Sequence, residues 1–201
     1  EEFGDVVWVY MGPPELKPDL PQMEWCRVPS ANRVVTRWLQ DSNWLQAVEG
    51  DLDSAHISFN HRFFNPGQDP GDPPRGIGTA SGDGAPRLTV KETDYGFIYG
   101  SRRTIGDQYY WRCTQMLLPF FSLIPNATPP WGGHCWVPVD DTHSMAWQYT
   151  GNPERPFTQE ERAKRRNAPQ GWAKCTYELP NGTIIDTFRG DRNRHNDYKI
   201  S

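Results

Sequence analysis

The sequence predicts an α+β fold in which most of the chain forms an antiparallel sheet. Short segments rich in aromatic and β-branched residues follow one another, separated by turn signals such as Gly106-Asp107. Only two stretches carry a helical pattern, one near residue 50 and one near residue 160. Strands in series with few helices favour antiparallel pairing.

The N-terminal part begins with a strand pattern and a proline-rich connector. Residues 3–11 are predicted to form a strand with Trp8 and Tyr10 on one face. Prolines at positions 13, 14, 18 and 21 then keep the chain extended. Residues 34–39 form the next predicted strand, which leads into the first helix.

The first helix is predicted from Asn43 to about Phe59, because apolar residues recur there at steps of three and four. These residues are Leu45, Val48, Leu52 and Ala55. Another face carries Glu49, Asp53 and His56 at i, i+4 and i+7, so Asp53 and His56 can touch directly.

A second histidine, His61, follows His56 by five positions. Five residues of regular helix rotate a side chain by about 140°, so the helix must break between Ser58 and His61 if both imidazoles bind one ion. Two histidine nitrogens and a carboxylate on one side of an ion leave open positions, as in non-haem Fe(II) oxygenases. A ligating histidine usually donates its other N–H to a carboxylate, and Asp53 is placed for that.

The rest of the chain is predicted to be a loop, several strands and one helix. Glycine, proline and aspartate dominate residues 65–86, which indicates a long mobile loop near the site that could act as a lid. Predicted strands cover residues 88–99, 109–118, 134–139, 144–149 and 172–179. A helix is predicted after Thr158, which forms a capping box with Glu161, and the pairs Glu160–Lys164 and Glu161–Arg165 support it.

The run from Asn43 to His61 resembles a known signature. Its Asn-Trp opening, Glu-Gly-Asp-Leu-Asp centre and Asp-x2-His-x4-His ending resemble the catalytic domain of Rieske-type aromatic-ring oxygenases, in the phthalate dioxygenase-like branch. Further segments similar to this family are Val-Val-Trp-Val-Tyr-Met-Gly-Pro-Pro at 6–14, Trp-Val-Pro-Val-Asp-Asp-Thr at 136–142 and Arg-Asn-Arg-His-Asn-Asp-Tyr at 192–198.

The resemblance implies a helix-grip fold, in which a curved antiparallel sheet wraps around helices and encloses a pocket. It implies that residues 1–12 end a truncated Rieske domain and that residues 13–201 are the catalytic non-haem iron domain, truncated at its C-terminus. The Cys-x-His and Cys-x-x-His pairs of the cluster domain do not occur around the four cysteines of this chain. The 2Fe-2S Rieske cluster is therefore expected in a region preceding Glu1.

The resemblance also implies roles for individual residues. His56 and His61 would be two iron ligands, and a third ligand, an aspartate, is expected beyond Ser201. Asp53 would be the bridging aspartate that couples the iron to the Rieske cluster of a neighbouring subunit in a homotrimer. Asn43 would lie behind the ligands, near the metal. With two ligands and no cluster, the chain alone is expected to bind iron weakly and to turn over nothing.

The resemblance implies an aromatic substrate, which is expected to carry a carboxylate. The substrate would react with O2 by ring hydroxylation or O-demethylation after a reductase supplies electrons. Phe59 and Asn60 lie between the proposed ligands and are the principal pocket candidates. Further candidates are Phe97, Tyr99, Trp147 and Tyr149, and the carboxylate could be held by Arg102, Arg103 or Arg112. Nothing in the sequence places His134, His143 or His195 near His56.

The composition of the chain argues against some classes of function. A net charge of −4 without a long basic run argues against a nucleic-acid partner. No apolar stretch is long enough to cross a bilayer, so no membrane partner is expected. Four cysteines without paired spacing suit reduced thiols in a cytoplasm.

Two other function classes stay open at this point. A zinc hydrolase could use His56, His61 and either Glu49 or Asp53, because zinc accepts the same donors. A non-enzymatic helix-grip protein could carry a ligand with histidines that bind no metal and are merely polar surface residues.

Overall fold

A computed structural model describes residues 1–60, 83–125, 129–166 and 172–190, with side chains except at 59, 60, 172–174 and 188–190. The predicted loop at 65–86 therefore lies outside the described residues up to residue 82. No helix within the described ranges is long and apolar enough to span a membrane.

The N-terminus forms a small hairpin instead of one strand. Strands β1 (Glu2–Phe3) and β2 (Val6–Val7) pair antiparallel. The turn between them places Gly4 at φ 68° and Asp5 at φ 63°, a left-handed conformation that suits glycine and aspartate. The prediction of a single strand over residues 3–11 was wrong because it gave alternation more weight than this turn chemistry.

Seven strands form the main antiparallel sheet. They are β3 (Arg33–Gln40), β4 (Arg87–Thr93), β5 (Gly96–Ile105), β6 (Gln108–Leu117), β7 (Phe121–Ile124), β8 (Trp131–Pro138) and β9 (Ser144–Gly151). Their order in the sheet is β3-β9-β8-β7-β6-β5-β4. A separate two-stranded sheet pairs β10 (Trp172–Glu178) with β11 (Ile184–Gly190).

Most of the predicted strands are confirmed, with bounds that differ by a few residues. The segment predicted as one strand over residues 88–99 is wrong: it is a hairpin of β4 and β5, turning at Asp94 and Tyr95 before Gly96 at φ 145°. Strands β7 and β11 were missed. β7 is only four residues long, so it carries little periodic signal of its own.

Each face of the sheet is covered by a different part of the chain. Helix α2 (Trp44–Leu52) packs Val48 into a cluster with Trp38, Met116, Trp136 and Ala146 on one face. The other face is covered by the hairpin and by helix α1 (Glu24–Arg27), whose buried Trp25 stacks on Tyr149 with ring centroids 4.9 Å apart. The predicted α+β class is confirmed, and an antiparallel sheet with a helix against it fits the helix-grip fold.

The first helix is shorter than predicted. Asn43 caps α2 by accepting a hydrogen bond from the Leu45 backbone N–H (2.9 Å), and the helix ends at Leu52. Asp53 is extended (ψ 111°), and a new turn, α3 (Ile57–Asn60), begins after His56. The prediction of one helix to about Phe59 was wrong, and the break precedes the expected position between Ser58 and His61.

The second of the two helices predicted from the sequence is α4 (Gln159–Arg166), and it begins with the predicted capping box. The Thr158 backbone N–H donates to Glu161 Oε2 (2.8 Å), and the Glu161 N–H donates to Thr158 Oγ1 (3.2 Å). The ion pair Glu160–Lys164 is present at 2.9 Å. The Glu161 carboxylate pairs with Arg155 (2.7 Å). Arg165 donates instead to the Glu161 carbonyl oxygen (3.2 Å), and its guanidinium lies over the Phe157 ring.

Candidate metal centre

The Asp53 carboxylate holds the start of the turn that carries His56. Asp53 Oδ1 accepts from the Ala55 N–H (2.7 Å), and Oδ2 accepts from the His56 N–H (3.2 Å). These bonds satisfy backbone donors outside a helix, which explains why α2 stops here despite the apolar periodicity. The same Oδ2 atom lies 3.3 Å from His56 Nδ1. The predicted contact between Asp53 and His56 is therefore present, but a capping turn produces it rather than a continuous helix.

This contact has the form of a carboxylate that supports a ligating histidine. A carboxylate at Nδ1 fixes the tautomer and leaves Nε2 as the coordinating nitrogen. The His56 side chain is 26% exposed and that of Asp53 is 45% exposed, so both are reachable from solvent. The donor chemistry of His56 therefore fits a divalent transition metal.

Three alternate residues of β5 converge on Ser54, the residue that follows Asp53. The Ser101 hydroxyl donates to Ser54 Oγ (2.8 Å), and the Tyr99 hydroxyl lies near the Ser54 backbone. Arg103 donates from Nη1 to Ser54 Oγ (3.0 Å) and from Nη2 to the Ser54 carbonyl oxygen. Burial, followed by the Asp53 charge, raises the pKa of Tyr99.

A second buried cluster holds the last turn of α2 against the sheet. The Asp51 carboxylate accepts from Trp136 Nε1 (2.7 Å) and from the Ser122 hydroxyl, and it lies 3.0 Å from His134 Nδ1. Burial raises the pKa of Asp51, but the hydrogen bond and charge of His134 and the bonds from Ser122 and Trp136 outweigh it. The pKa of Asp51 is therefore lowered.

The sequence patterns do not predict this second cluster. They place Asp51 only within the motif from Asn43 to His61 and give His134 no role. The available signal was the placement of His134 and Trp136 two residues apart on one strand, which puts two N–H donors on the same face. Strand order is needed to bring Ser122 to the same face, because Ser122 pairs with His134 across β7 and β8.

The structure describes the side chains of only some of the remaining predicted site residues. Asn43 lies at the start of α2, and its Nδ2 donates to the Asp141 carbonyl oxygen (3.1 Å). Phe59 and Asn60 belong to α3, but their side chains are outside the described part of the structure, and so is all of His61. Within the described ranges no three histidine, cysteine, aspartate or glutamate side chains form a metal-binding group. The roles of these residues stay predictions.

The additional pocket candidates divide between the two faces of the sheet. Phe97 packs against the α2 cluster and Tyr99 contacts Ser54, so both share the face that carries Asp53. Tyr149 belongs to the cluster on the opposite face, and Trp147 points there too because it alternates with Ala146. The strands therefore do not bring Trp147 or Tyr149 to the Asp53–His56 segment.

The three candidate arginines also separate. Arg102 lies opposite Trp111 on the outer face of the sheet, which is the face away from α2. Its guanidinium is 4.1 Å from the centroid of the Tyr109 ring. Arg103 points inward and is fully buried. Arg112 pairs with Ser101 across β5 and β6 and therefore shares the inward face.

Comparisons with known proteins identify the family of this chain. The sequence profile described as "LigXa C-terminal domain like" matches residues 9–199. The chain is 32% identical over 192 residues to the oxygenase subunit of 3-chlorobenzoate-3,4-dioxygenase from Comamonas testosteroni, covering 92% of this chain and 41% of that protein. It is 31% identical over 210 residues to the oxygenase subunit of phthalate 4,5-dioxygenase from Pseudomonas putida, covering 98% of this chain and 44% of that protein.

Among solved structures, dicamba monooxygenase bound to 3,6-dichlorosalicylic acid aligns with a TM-score of 0.46 and 16% identity, over 75% of this chain and 47% of that one. This chain belongs to the LigXa C-terminal domain-like family, and its curated relatives are oxygenase subunits, which confirms the resemblance to Rieske-type oxygenases. The chain spans less than half the length of these curated relatives.

Proposed function

We propose that this chain is the catalytic part of an oxygenase component that inserts oxygen from O2 into an aromatic carboxylate at a mononuclear non-haem Fe(II). The observation that carries the proposal is the Asp53–His56 contact, 3.3 Å long, at the break between α2 and α3. Both relatives named above are oxygenase subunits, and their names specify aromatic acids. That combination favours an oxygenase over a zinc hydrolase or a ligand carrier.

His56 and His61 would hold the iron, with a third ligand outside this chain. Bound there, Fe(II) would supply the open coordination positions at which O2 is activated. The protein's own contribution is orientation. Asp53 would fix the tautomer and direction of the His56 ring, and its partly exposed carboxylate could accept a further hydrogen bond from a neighbouring group. We assign electron entry from a Rieske cluster to that exposed side of Asp53.

The whole protein would then work with several partners. A reductase would deliver electrons to the 2Fe-2S cluster, and a homotrimer would bring the cluster of one subunit to Asp53 of the next. Ring hydroxylation and O-demethylation would both use this site. A cytoplasmic location accords with the unpaired cysteines, of which Cys26 and Cys135 are buried as free thiols.

Arg112 is the best candidate to bind the substrate carboxylate. Its guanidinium is on the same sheet face as Ser101, and no carboxylate within the described ranges forms an ion pair with it. Burial lowers the pKa of Arg112, Tyr110 raises it, and the charge of Arg103 lowers it further. A half-buried guanidinium beside another cation would gain from an anionic ligand. Arg102 and Arg103 are engaged elsewhere, as described above.

Replacing Arg112 with glutamine is expected to raise KM for an aromatic acid about 10- to 100-fold with a smaller change in kcat, because uniform binding energy is lost. The measurement is steady-state O2 uptake by the full-length enzyme with phthalate or 3-chlorobenzoate. Arg102→Gln, which removes the same charge from the opposite face, should leave KM unchanged. An unaltered KM in Arg112→Gln would exclude Arg112 as the anchor.

The proposed function is tested by metal analysis of the anaerobically purified full-length protein together with an O2 electrode. We expect one iron per chain beyond the cluster iron, and O2 uptake that requires both an aromatic acid and reductase. Zinc in place of iron, with ester or amide hydrolysis and no O2 uptake, would establish the hydrolase instead.

A further inference from the structure

Arg103 is the most deeply buried charged side chain that the structure describes, with 0% exposure. Its guanidinium donates to Ser54 Oγ (3.0 Å), to the Ser54 carbonyl oxygen, to Ser58 Oγ (3.3 Å) and, from Nε, to the Asp83 carbonyl oxygen (3.2 Å). These acceptors are hydroxyl and backbone oxygens rather than carboxylate oxygens. A buried cation needs such bonds, because an unsatisfied one would carry a large desolvation cost.

The serines that Arg103 binds flank the proposed iron ligand. Ser54 lies two residues before His56, and Ser58 lies two residues after it. One planar guanidinium therefore spans both ends of the five-residue segment that carries the imidazole. Ser54 is itself 2% exposed and receives the further bond from Ser101, so this anchor is fixed to β5.

We propose that Arg103 is a positioning residue that sets the direction of the His56 ring by holding Ser54 and Ser58 together. This inference rests on the proposed function and deepens it. The helix is broken at Asp53, so no continuous backbone ladder runs from α2 through His56 to α3. The hydrogen bonds of the Arg103 guanidinium connect the residues on both sides of His56 instead, and Asp53 then sets the tautomer of the His56 ring.

The geometry of the contact specifies arginine. A guanidinium presents five N–H donors in a fixed plane, and here they reach acceptors on three different residues. A lysine ammonium can bury the same charge but cannot span Ser54 and Ser58 in that way. Arg103→Lys therefore separates loss of the fork from loss of the charge.

The test uses the full-length holoenzyme with three variants: Arg103→Lys, Ser58→Ala and, as the matched control, Arg102→Gln on the outer face of the same strand. The measurements are the Fe(II) dissociation constant from chelator competition, the EPR spectrum of the ferrous nitric oxide complex and the thermal unfolding midpoint. Cluster absorbance checks that the Rieske domain is intact in each.

We expect Arg103→Lys to weaken iron binding about 10- to 100-fold, as loss of a supporting contact behind a ligand typically does, and to change the rhombicity of the nitric oxide complex. Ser58→Ala should move both readouts in the same direction by less, and it keeps the test decisive if Arg103→Lys does not fold. Arg102→Gln should match wild type in both.

Two results would overturn the inference. Wild-type iron affinity and an unchanged EPR spectrum in Ser58→Ala and in a folded Arg103→Lys would do so while leaving the proposed function intact. A lowered unfolding midpoint with unchanged iron affinity and spectrum would assign Arg103 to stability alone. Failure of the wild-type protein to bind iron at all would instead contradict the proposed function, and the inference with it.

Discussion

Replacing His56 with alanine is expected to lower the iron affinity of the full-length enzyme more than about 100-fold and to abolish substrate-dependent O2 uptake. Loss of a ligand should exceed the 10- to 100-fold effect of losing a residue behind one. The fold should survive, because the His56 side chain is 26% exposed and outside the core clusters. Metal analysis and an O2 electrode measure the two effects, and cluster absorbance shows whether the Rieske domain is intact.

His143→Ala is the matched control for this substitution. His143 is also a partly exposed histidine beside a carboxylate, with Nδ1 2.9 Å from Asp140 Oδ1, but it lies in the turn between β8 and β9. It should retain iron and activity. If His56→Ala keeps both its metal content and its affinity for the aromatic ligand, the ligand-carrier interpretation is favoured over the enzyme.

Replacing Asp51 with alanine is expected to reduce the free energy of unfolding by about 3 to 5 kcal/mol, the usual range when one partner of a buried pair is removed. The substitution would leave the N–H groups of His134 and Trp136 and the hydroxyl of Ser122 without their common acceptor. Urea unfolding followed by tryptophan fluorescence measures the change, since Trp136 is buried in the cluster.

Glu49→Ala provides the comparison on the same helix. Glu49 is exposed on α2, so its removal should change the free energy of unfolding by less than about 0.5 kcal/mol. Equal effects of the two substitutions would show that the Asp51 cluster does not stabilise the fold.

The lowered pKa of Asp51 also gives this contribution a pH dependence. A carboxyl group whose pKa is lower in the folded than in the unfolded state stabilises fully above the unfolded value of about 3.9. The stabilisation is then lost as the pH falls towards the folded value. Wild type should therefore lose stability over that acidic range more steeply than Asp51→Ala.

The parts of the fold with local signals were predictable from the sequence. The capping box at Thr158 and Glu161 depends only on residues three apart, and the structure contains it. Periodicity was less reliable where turn or cap chemistry competed with it. Gly4-Asp5 converted a predicted strand into a hairpin, and the Asp53 side chain ended a helix whose apolar pattern continued to Ala55.

In the candidate site, too, only contacts between residues close in sequence were predictable. The contact between Asp53 and His56 joins residues three apart and was expected from their spacing. The bonds from Arg103 to Ser54 and from His134 to Asp51 join residues 49 and 83 positions apart. Such contacts depend on which strands become neighbours and in which register, and local patterns do not determine either.

The most direct test of the central claim is anomalous diffraction at the iron absorption edge from crystals of the full-length oxygenase. We predict one peak apart from the cluster, coordinated by a ring nitrogen of His56 and one of His61, with Asp53 at the other nitrogen of His56. Rings that point away from each other, with no anomalous peak between them, would contradict the account.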